Sequence, residues 1–311
     1  MSAAPNITPN YTYTPEQVTA AFTEITATLF TGITTEATPK MLVVAGLQGS
    51  GKTYLLEKNL LPSKRYDNYV RLYLPDYRKK HPQYAEMIKL GVLHAYEHTE
   101  AFVREVITAI FAEAFTRKYN MIMECAFDST DFIAFPPVAT AAGYQFETHI
   151  VACNHEFAHA SSIKRALKSL EKQEMERFVT VSMLDASMSN AQAIILACET
   201  AAKAVSGSQI TLYERGFGAL KERTLRAQST YTKAADGTLN ITETTAPYTY
   251  SAYGRIVDNH IYTMNDRDEM IKECHLALLK TQTYAEHVPD FVYNDLYAYI
   301  VKYVYLSLIH I

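Results

Sequence analysis

Eight residues limit what this chain can fold into more than any other feature. Gly46-Leu47-Gln48-Gly49-Ser50-Gly51-Lys52-Thr53 fills the pattern G-x-x-x-x-G-K-[ST] at every fixed position. The apolar run 41–45 precedes it, and a helical pattern over about 52–60 follows. Strand, glycine-rich turn and helix start, in that order, make the local geometry in which backbone N–H groups wrap a phosphate. The glycines are needed because the loop approaches the anion closely and takes backbone angles that side chains disfavour. In such a loop Lys52 reaches the β- and γ-phosphates, the Thr53 hydroxyl ligates Mg²⁺, and Gly46, Gln48, Gly49, Ser50 and Gly51 line the phosphates. The motif therefore calls for a nucleoside triphosphate with Mg²⁺. It does not choose between ATP and GTP, nor the chemistry that follows.

Further apolar runs predict strands over 69–74, 120–124, 147–152 and 209–213. Helical spacing covers about 94–116, a segment ending near Gly143, 155–172 and 189–205. Strands alternating with helices at this pitch predict a doubly wound, parallel α/β sheet: a P-loop kinase core with helical N- and C-terminal extensions. The organisation expected is an arm and helix over 1–40, the core over 41–225 and an added segment over 226–311. Residues 1–14 read as a loose arm, and Val18, Ala21, Phe22, Ile25 and Leu29 mark the helix after it. Residues 226–255, with the turn pair Asp236-Gly237, read as a hairpin or a mobile insertion. Two helical patterns, about 264–284 and 290–308, complete the tail. Its tyrosines suit a helix that packs on the core and reaches water with its hydroxyls, the alternative being a membrane-surface or partner-binding helix.

Composition removes several classes. With 29 Lys and Arg against 33 Asp and Glu, the net charge is −4, so no global field favours nucleic acid. Cys125, Cys153, Cys198 and Cys274 are far apart and form no C-x-x-C pair, which reads as buried, reduced thiols. No uncharged apolar stretch of about 18 residues is present, and the N-terminus lacks a secretory layout. His94 with His98, and His155 with His159, fall at helical spacing without a third ligand nearby, so a metal centre is disfavoured.

The chemistry beyond the P-loop needs an acid where strands end. Asp76 follows the 69–74 run, where a general base for an acceptor hydroxyl belongs, and Glu124 ends the next strand. Transfer also needs positive charge that arrives with closure, and Arg165 and Arg177 flank a charged turn suited to a lid.

Taken in order, these motifs resemble the zeta toxin family, the P-loop kinases of bacterial toxin–antitoxin pairs. The resemblance spans about 41–225. After the P-loop, Asp76, Arg78, His81 and Pro82 are similar to the family's D-x-[FR]-x-x-x-HP segment, and the strand closing on Glu124 to its VIEGT strand end. Ser162 to Arg165, then Arg177 with Asp185 eight later, resemble its paired-arginine helix and R-x7-D pattern. Leu212-Tyr213-Glu214-Arg215 resembles a late strand and turn. The resemblance implies transfer of the ATP γ-phosphate to a nucleotide-linked sugar, typically the 3′-hydroxyl of UDP-N-acetylglucosamine. Asp76 would be the base, Lys52 and Thr53 the phosphate and Mg²⁺ groups, and Arg165 and Arg177 the charge clamps. Asp76, Arg78, His81, Glu124 and either Glu105 or Thr108 would touch substrate. Ala126 and Asp128 depart from the family pattern at acceptor positions, which leaves open the adenosine ribose of NAD, a polynucleotide end, or nucleotide binding without transfer. The resemblance further implies a bacterial, phage or plasmid origin, a cytoplasmic setting or delivery as an effector, and restraint by a small helical antitoxin. A cis-acting segment, 14–30 or the tail, is the alternative restraint.

Overall fold

The apolar run ahead of the glycines is a strand, β1 (Lys40–Ala45), buried at every residue after Lys40. The structure is a computed structural model that describes residues 11–172, 178–218 and 222–308. It divides into two compact units. One holds the described residues up to Ile33 with Arg71–Arg117; the other holds Thr34–Val70 and the described residues from Lys118 onward.

The larger unit is built on a seven-stranded sheet in the order β2-β3-β1-β4-β5-β6-β7. The strands are β1, β2 (Tyr69–Arg71), β3 (Asn120–Cys125), β4 (Gln145–Cys153), β5 (Ser208–Arg215), β6 (Thr224–Lys233) and β7 (Leu239–Thr244). β3, β1, β4 and β5 run parallel. Their near-continuous apolar runs follow from burial on both faces, where period-2 alternation is not needed. One face is covered by α2 (Lys52–Leu55), which continues as a π turn over Leu56–Leu60. Leu55 and Leu56 pack there on Leu42, Val44, Ile122 and Val151. The other face carries α8 (Val181–Ala204), against β4 and β5, and α9 (Tyr250–Val257), against β4.

Two strands depart from the all-parallel expectation: β6 pairs antiparallel with β5, and β7 with β6. The connection from Arg215 to Thr224 is too short for the dozen or so residues that a parallel crossover takes. Of the two readings of 226–255, the hairpin is the one formed. It turns through Asp236-Gly237, with the Thr238 N–H donating to Asp236 Oδ1 at 2.9 Å.

α7 (His155–Glu171) follows β4, capped by Asn154, whose side chain accepts from the Phe157 N–H. The tail helices α10 (Met264–Thr283) and α11 (Asp290–Leu308) pack on it. Lys164 pairs with Glu273, and Lys280 with Glu171 at 2.8 Å. Tyr303, fully buried, donates its hydroxyl to Glu156 at 2.9 Å. His159, also fully buried, accepts from the Tyr299 hydroxyl and donates to the Val179 carbonyl, both at 2.7 Å. Burial pulls the pKa of His159 down, favouring the neutral ring, and the Val179 carbonyl, which can only accept, fixes its proton on Nε2. Tyr299 and Tyr303 thus bring buried rings and paired hydroxyls to α7, while Tyr297 and Tyr305 are exposed.

In the smaller unit, α1 (Pro15–Leu29) starts on a capping box between Thr14 and Gln17, with Pro15 at its first position. Its Val18, Ala21 and Ile25 meet Phe102, Val103, Val106 and Ile110 of α5 (Val92–Thr116). Each of the Val, Ile and Phe side chains contributes roughly 1.5–3 kcal/mol on burial. Residues 11–13, read as part of a loose arm, are held in place. The Thr12 N–H donates to Gln83 at 2.9 Å and the Tyr13 hydroxyl to Glu105 at 2.7 Å. The smaller unit also holds the short helices α3 (Leu74–Arg78) and α4 (Tyr84–Met87), and the larger unit α6 (Phe135–Ala141).

Among the described residues no helix is long and apolar enough to cross a membrane. All four cysteines are buried, and burial pushes the Cys125 and Cys274 thiols up to about 12 and Cys153 up to about 11.

Candidate active site

The glycine loop closes on its neighbours too tightly for side chains. The Gly46 N–H donates to the Cys125 carbonyl at 3.0 Å, and a Cβ at Gly46 would lie 2.5 Å from the Val151 carbonyl oxygen. Gly49, at φ +83°, backs onto α7: a Cβ there would overlap the Ala158 carbonyl and sit 2.9 Å from the Ser162 nitrogen. Gln48 is half-buried on the loop. Ser50 is fully buried, and its hydroxyl has no hydrogen-bond partner among the described residues. A cradle that excludes Cβ atoms and keeps an unpaired buried hydroxyl fits a phosphate chain.

Lys52, the first residue of α2, is 8% exposed. Burial pulls its pKa below the usual lysine value; the Arg165 charge acts in the same direction, against the Glu124 and Asp128 carboxylates. The β1–β3 register sets Val44 opposite Glu124, so that Glu124 leaves the sheet beside the loop. There the Thr53 hydroxyl donates to Glu124 Oε2 at 2.8 Å. One alcohol and one carboxylate side by side are the hard oxygen donors that Mg²⁺ accepts when phosphates and water complete its shell, so the residues present fit that ion. Arg165 is exposed on α7, within electrostatic reach of Lys52. Arg177 lies outside the described residues, and with it the arginine-flanked turn expected of a lid. Asp185 is exposed on α8.

The other expected site residues belong to the smaller unit. The strand expected over 69–74 ends at Arg71, and α3 begins at Leu74 with Pro75 in its first turn. Proline lacks the N–H a ladder needs and has the φ of a helix start, which is why the strand stops there. Asp76 therefore sits in the first turn of α3, exposed and 2.8 Å from the Lys79 ammonium. Arg78 is 2% exposed, and its guanidinium donates to the Tyr96 carbonyl, the Thr99 hydroxyl and the Glu100 carboxylate, at 3.0, 2.9 and 2.6 Å. It lies 3.6 Å from the centre of the Tyr96 ring as well. These contacts tie α3 to α5. His81, buried between the Tyr13 and Phe102 rings, accepts the Gln83 N–H at 3.1 Å, and burial lowers its pKa. Glu105 accepts the Tyr13 hydroxyl, whose pKa is pushed up to about 12 by burial and then by that carboxylate. The Thr108 hydroxyl turns back to the Arg104 carbonyl of its own helix at 2.8 Å.

Two residues with no assigned part in the motif reading also reach the loop. Arg215, at the end of β5, donates to the Gly49 carbonyl, and Arg223, just before β6, donates to the Gly51 carbonyl at 3.4 Å. Arg215 has a faint signal in the sequence, as the last residue of the Leu212–Arg215 quartet. Arg223 has none.

The family model described as Zeta toxin matches residues 26–216. Curated relatives named Toxin zeta, from Enterococcus hirae and Streptococcus pyogenes, are each 23% identical over 128 residues. That stretch is 41% of this chain and 44% of each relative, so the match spans less than half their length. Among solved structures, one from the chromosomal PezAT toxin–antitoxin system of Streptococcus pneumoniae superposes with TM-score 0.60 at 15% identity, covering 86% of this chain and 99% of that one. A structure of AvrRxo1-ORF1:-ORF2 with ATP gives TM-score 0.53 at 10% identity, covering 92% and 86%. At these identities the structures speak for the fold, an α/β P-loop kinase fold, and the family match covers more than half of the chain: this protein belongs to the zeta toxin family.

Proposed function

We propose that this protein is an ATP-dependent small-molecule kinase, which transfers the γ-phosphate to a hydroxyl of a nucleotide-linked sugar, the 3′-hydroxyl of UDP-N-acetylglucosamine being the first candidate. The observation that carries the reading is the pairing of the Thr53 hydroxyl with Glu124 beside a buried Lys52, in a chain of this family. Lys52 and the loop N–H groups hold the triphosphate. Thr53 and Glu124 would hold Mg²⁺, which when bound offsets the negative charge of the phosphates. Arg165 adds positive charge from α7 as charge moves onto the leaving ADP.

Asp76 is assigned as general base on its sequence motif. In that role its carboxylate takes the acceptor proton as the acceptor oxygen bonds to the γ-phosphorus and ADP leaves with the electrons of the broken bond. Glu105 and His81 are assigned to acceptor binding on the same grounds. Ala126 and Asp128 replace family residues at acceptor positions, which makes the adenosine ribose of NAD the second candidate. PezAT is a toxin–antitoxin system and AvrRxo1-ORF1 is complexed with ORF2. By analogy a small protein partner restrains this chain, in the cytoplasm.

The test is purified protein with ATP, Mg²⁺ and a panel of UDP-sugars and dinucleotides, read by mass spectrometry. A product one phosphoryl group heavier, lost in Asp76→Ala, is expected. Removal of a general base costs about 10²- to 10⁴-fold in rate, so a variant near wild-type rate overturns the assignment.

A further inference from the structure

The two arginines behind the loop are the least explained charges in the larger unit. The antiparallel register of β5 and β6 closes on Glu214 opposite Thr224, so Arg215 and Arg223 continue it side by side. Arg215 is 5% exposed. Its guanidinium donates to the Gly49 carbonyl and, at 3.2 Å, to the Ser161 hydroxyl, and it lies 4.8 Å from the centre of the Phe157 ring. Arg223 donates to the Gly51 carbonyl and, at 3.1 Å, to Asn59 at the far end of the α2 π turn, over the Tyr54 ring. The Nε–H of each is buried without an acceptor. No carboxylate of the described residues forms an ion pair with either group.

Arg215 is buried and Arg223 half-buried, and burial lowers the pKa of both, opposed at Arg215 by Cys153 and Glu273 and reinforced at Arg223 by the Arg215 charge. Guanidinium stays protonated regardless, so the pair is a standing double positive charge. What it touches explains it. Gly49 and Gly51 flank Ser50, and a carbonyl held toward an arginine turns the following N–H to the opposite side of a planar, trans peptide. For Gly51 that N–H belongs to Lys52, the first in its helix and without an intrahelical acceptor. Arg215 and Arg223 thus hold two loop carbonyls on their own side: at Gly51, whose carbonyl also accepts the Leu55 N–H at 3.0 Å, this leaves the Lys52 N–H facing away, whereas after Gly49 the Ser50 N–H donates to the Leu47 carbonyl at 3.0 Å.

We infer that Arg215 and Arg223 are positioning residues that brace the P-loop from behind and set its affinity for the polyphosphate chain of a nucleoside triphosphate. This rests on the nucleotide reading above. It goes beyond it in one respect: Arg223, just ahead of β6, lies outside the matched stretch 26–216.

The test uses the full chain and two ligands, ATP and inorganic tripolyphosphate, by calorimetry, with Arg223→Ala, Arg223→Lys and Arg215→Lys, and the melting temperature of each ligand-free variant. Loss of one charge-assisted hydrogen bond at this length is expected to weaken both ligands by about 10-fold in R223A, or about 1.4 kcal/mol. The loss should be equal for the two ligands because the brace acts on phosphate, and R223K should recover part of it. Ligand-free melting within about 3 °C of wild type separates this from a folding defect. Should R223A fail to fold, R223K and R215K carry the same comparison, each with a smaller, ligand-independent loss. Wild-type affinity in all folded variants overturns the inference, and so does a loss confined to ATP, which would place Arg223 on the nucleoside. If wild type binds neither ligand, the nucleotide reading itself fails.

Discussion

Replacing Gly49 with alanine separates the two reasons a P-loop needs glycine. The first is conformational: φ is +83° at Gly49, and a left-handed alanine costs roughly 1–2 kcal/mol, partly offset by about 0.4–1 kcal/mol from a less flexible unfolded chain. The second is contact: the new Cβ would overlap the Ala158 carbonyl and sit 2.9 Å from the Ser162 nitrogen. Both are backbone atoms of α7, which cannot rotate away, and α7 is held by α10 and α11. Overpacking of this kind adds about 1–3 kcal/mol. Gly143 is the control, with φ +81° and nothing within 4 Å of its would-be Cβ. Gly143→Ala should therefore lose about 1 kcal/mol of stability or less and leave ATP binding unchanged. Gly49→Ala should lose about 1–3 kcal/mol more than Gly143→Ala, summed over ligand-free stability by urea denaturation and ATP affinity by calorimetry. Equal losses in the two variants would refute the close-packing argument and leave only backbone strain.

Three further outcomes follow from the same contacts. Thr53→Val should weaken ATP binding about 10-fold in the presence of Mg²⁺ and change it little with a chelator, because the hydroxyl beside Glu124 acts through the ion; equal effects with and without Mg²⁺ would contradict this. Tyr299→Phe leaves buried His159 Nδ1 without a donor and should cost about 1–3 kcal/mol, seen as a melting temperature lower by roughly 2–6 °C, whereas an unchanged value would show α11 to be dispensable. Stability should also fall on mild acidification. His159 and His81 have folded pKa values below the usual histidine value, so the unfolded chain takes up protons first; their contribution is complete above about pH 6.5 and declines as the pH falls toward their folded values. A urea midpoint that rises between pH 8 and pH 6 would reverse that sign.

What the sequence made legible was local. The P-loop is a run of eight residues whose glycines answer to their own backbone, and β1, β3 and β4 are buried on both faces, so their apolar runs stand out. Reading failed where a neighbour decides. Pro75 cut the 69–74 run short and moved Asp76 onto a helix, and α8 starts at Val181, ahead of the expected 189, because a Thr180 cap begins it where no clear apolar stripe does. The β6 and β7 strands carry Thr, Ser and Tyr, and only their pairing with β5 decides between hairpin and loose insertion. The roles of Arg215, only faintly signalled, and Arg223, not signalled at all, were hidden for the plainest reason: they meet their loop carbonyls across 166 and 172 residues of sequence. The tail tyrosines fell between these cases, since their burial pattern predicted packing but not the Glu156 and His159 partners.

The central claim is that the γ-phosphate leaves ATP for a hydroxyl on a nucleotide-linked acceptor. Phosphorus NMR of a reaction containing wild-type protein, ATP, Mg²⁺ and the acceptor panel measures this directly. The account predicts that the γ-phosphate signal is lost as a phosphomonoester signal grows in equal amount, and that neither changes with Lys52→Ala. Conversion of the γ-phosphate to inorganic phosphate alone, or no change with wild-type protein across the whole panel, would contradict it.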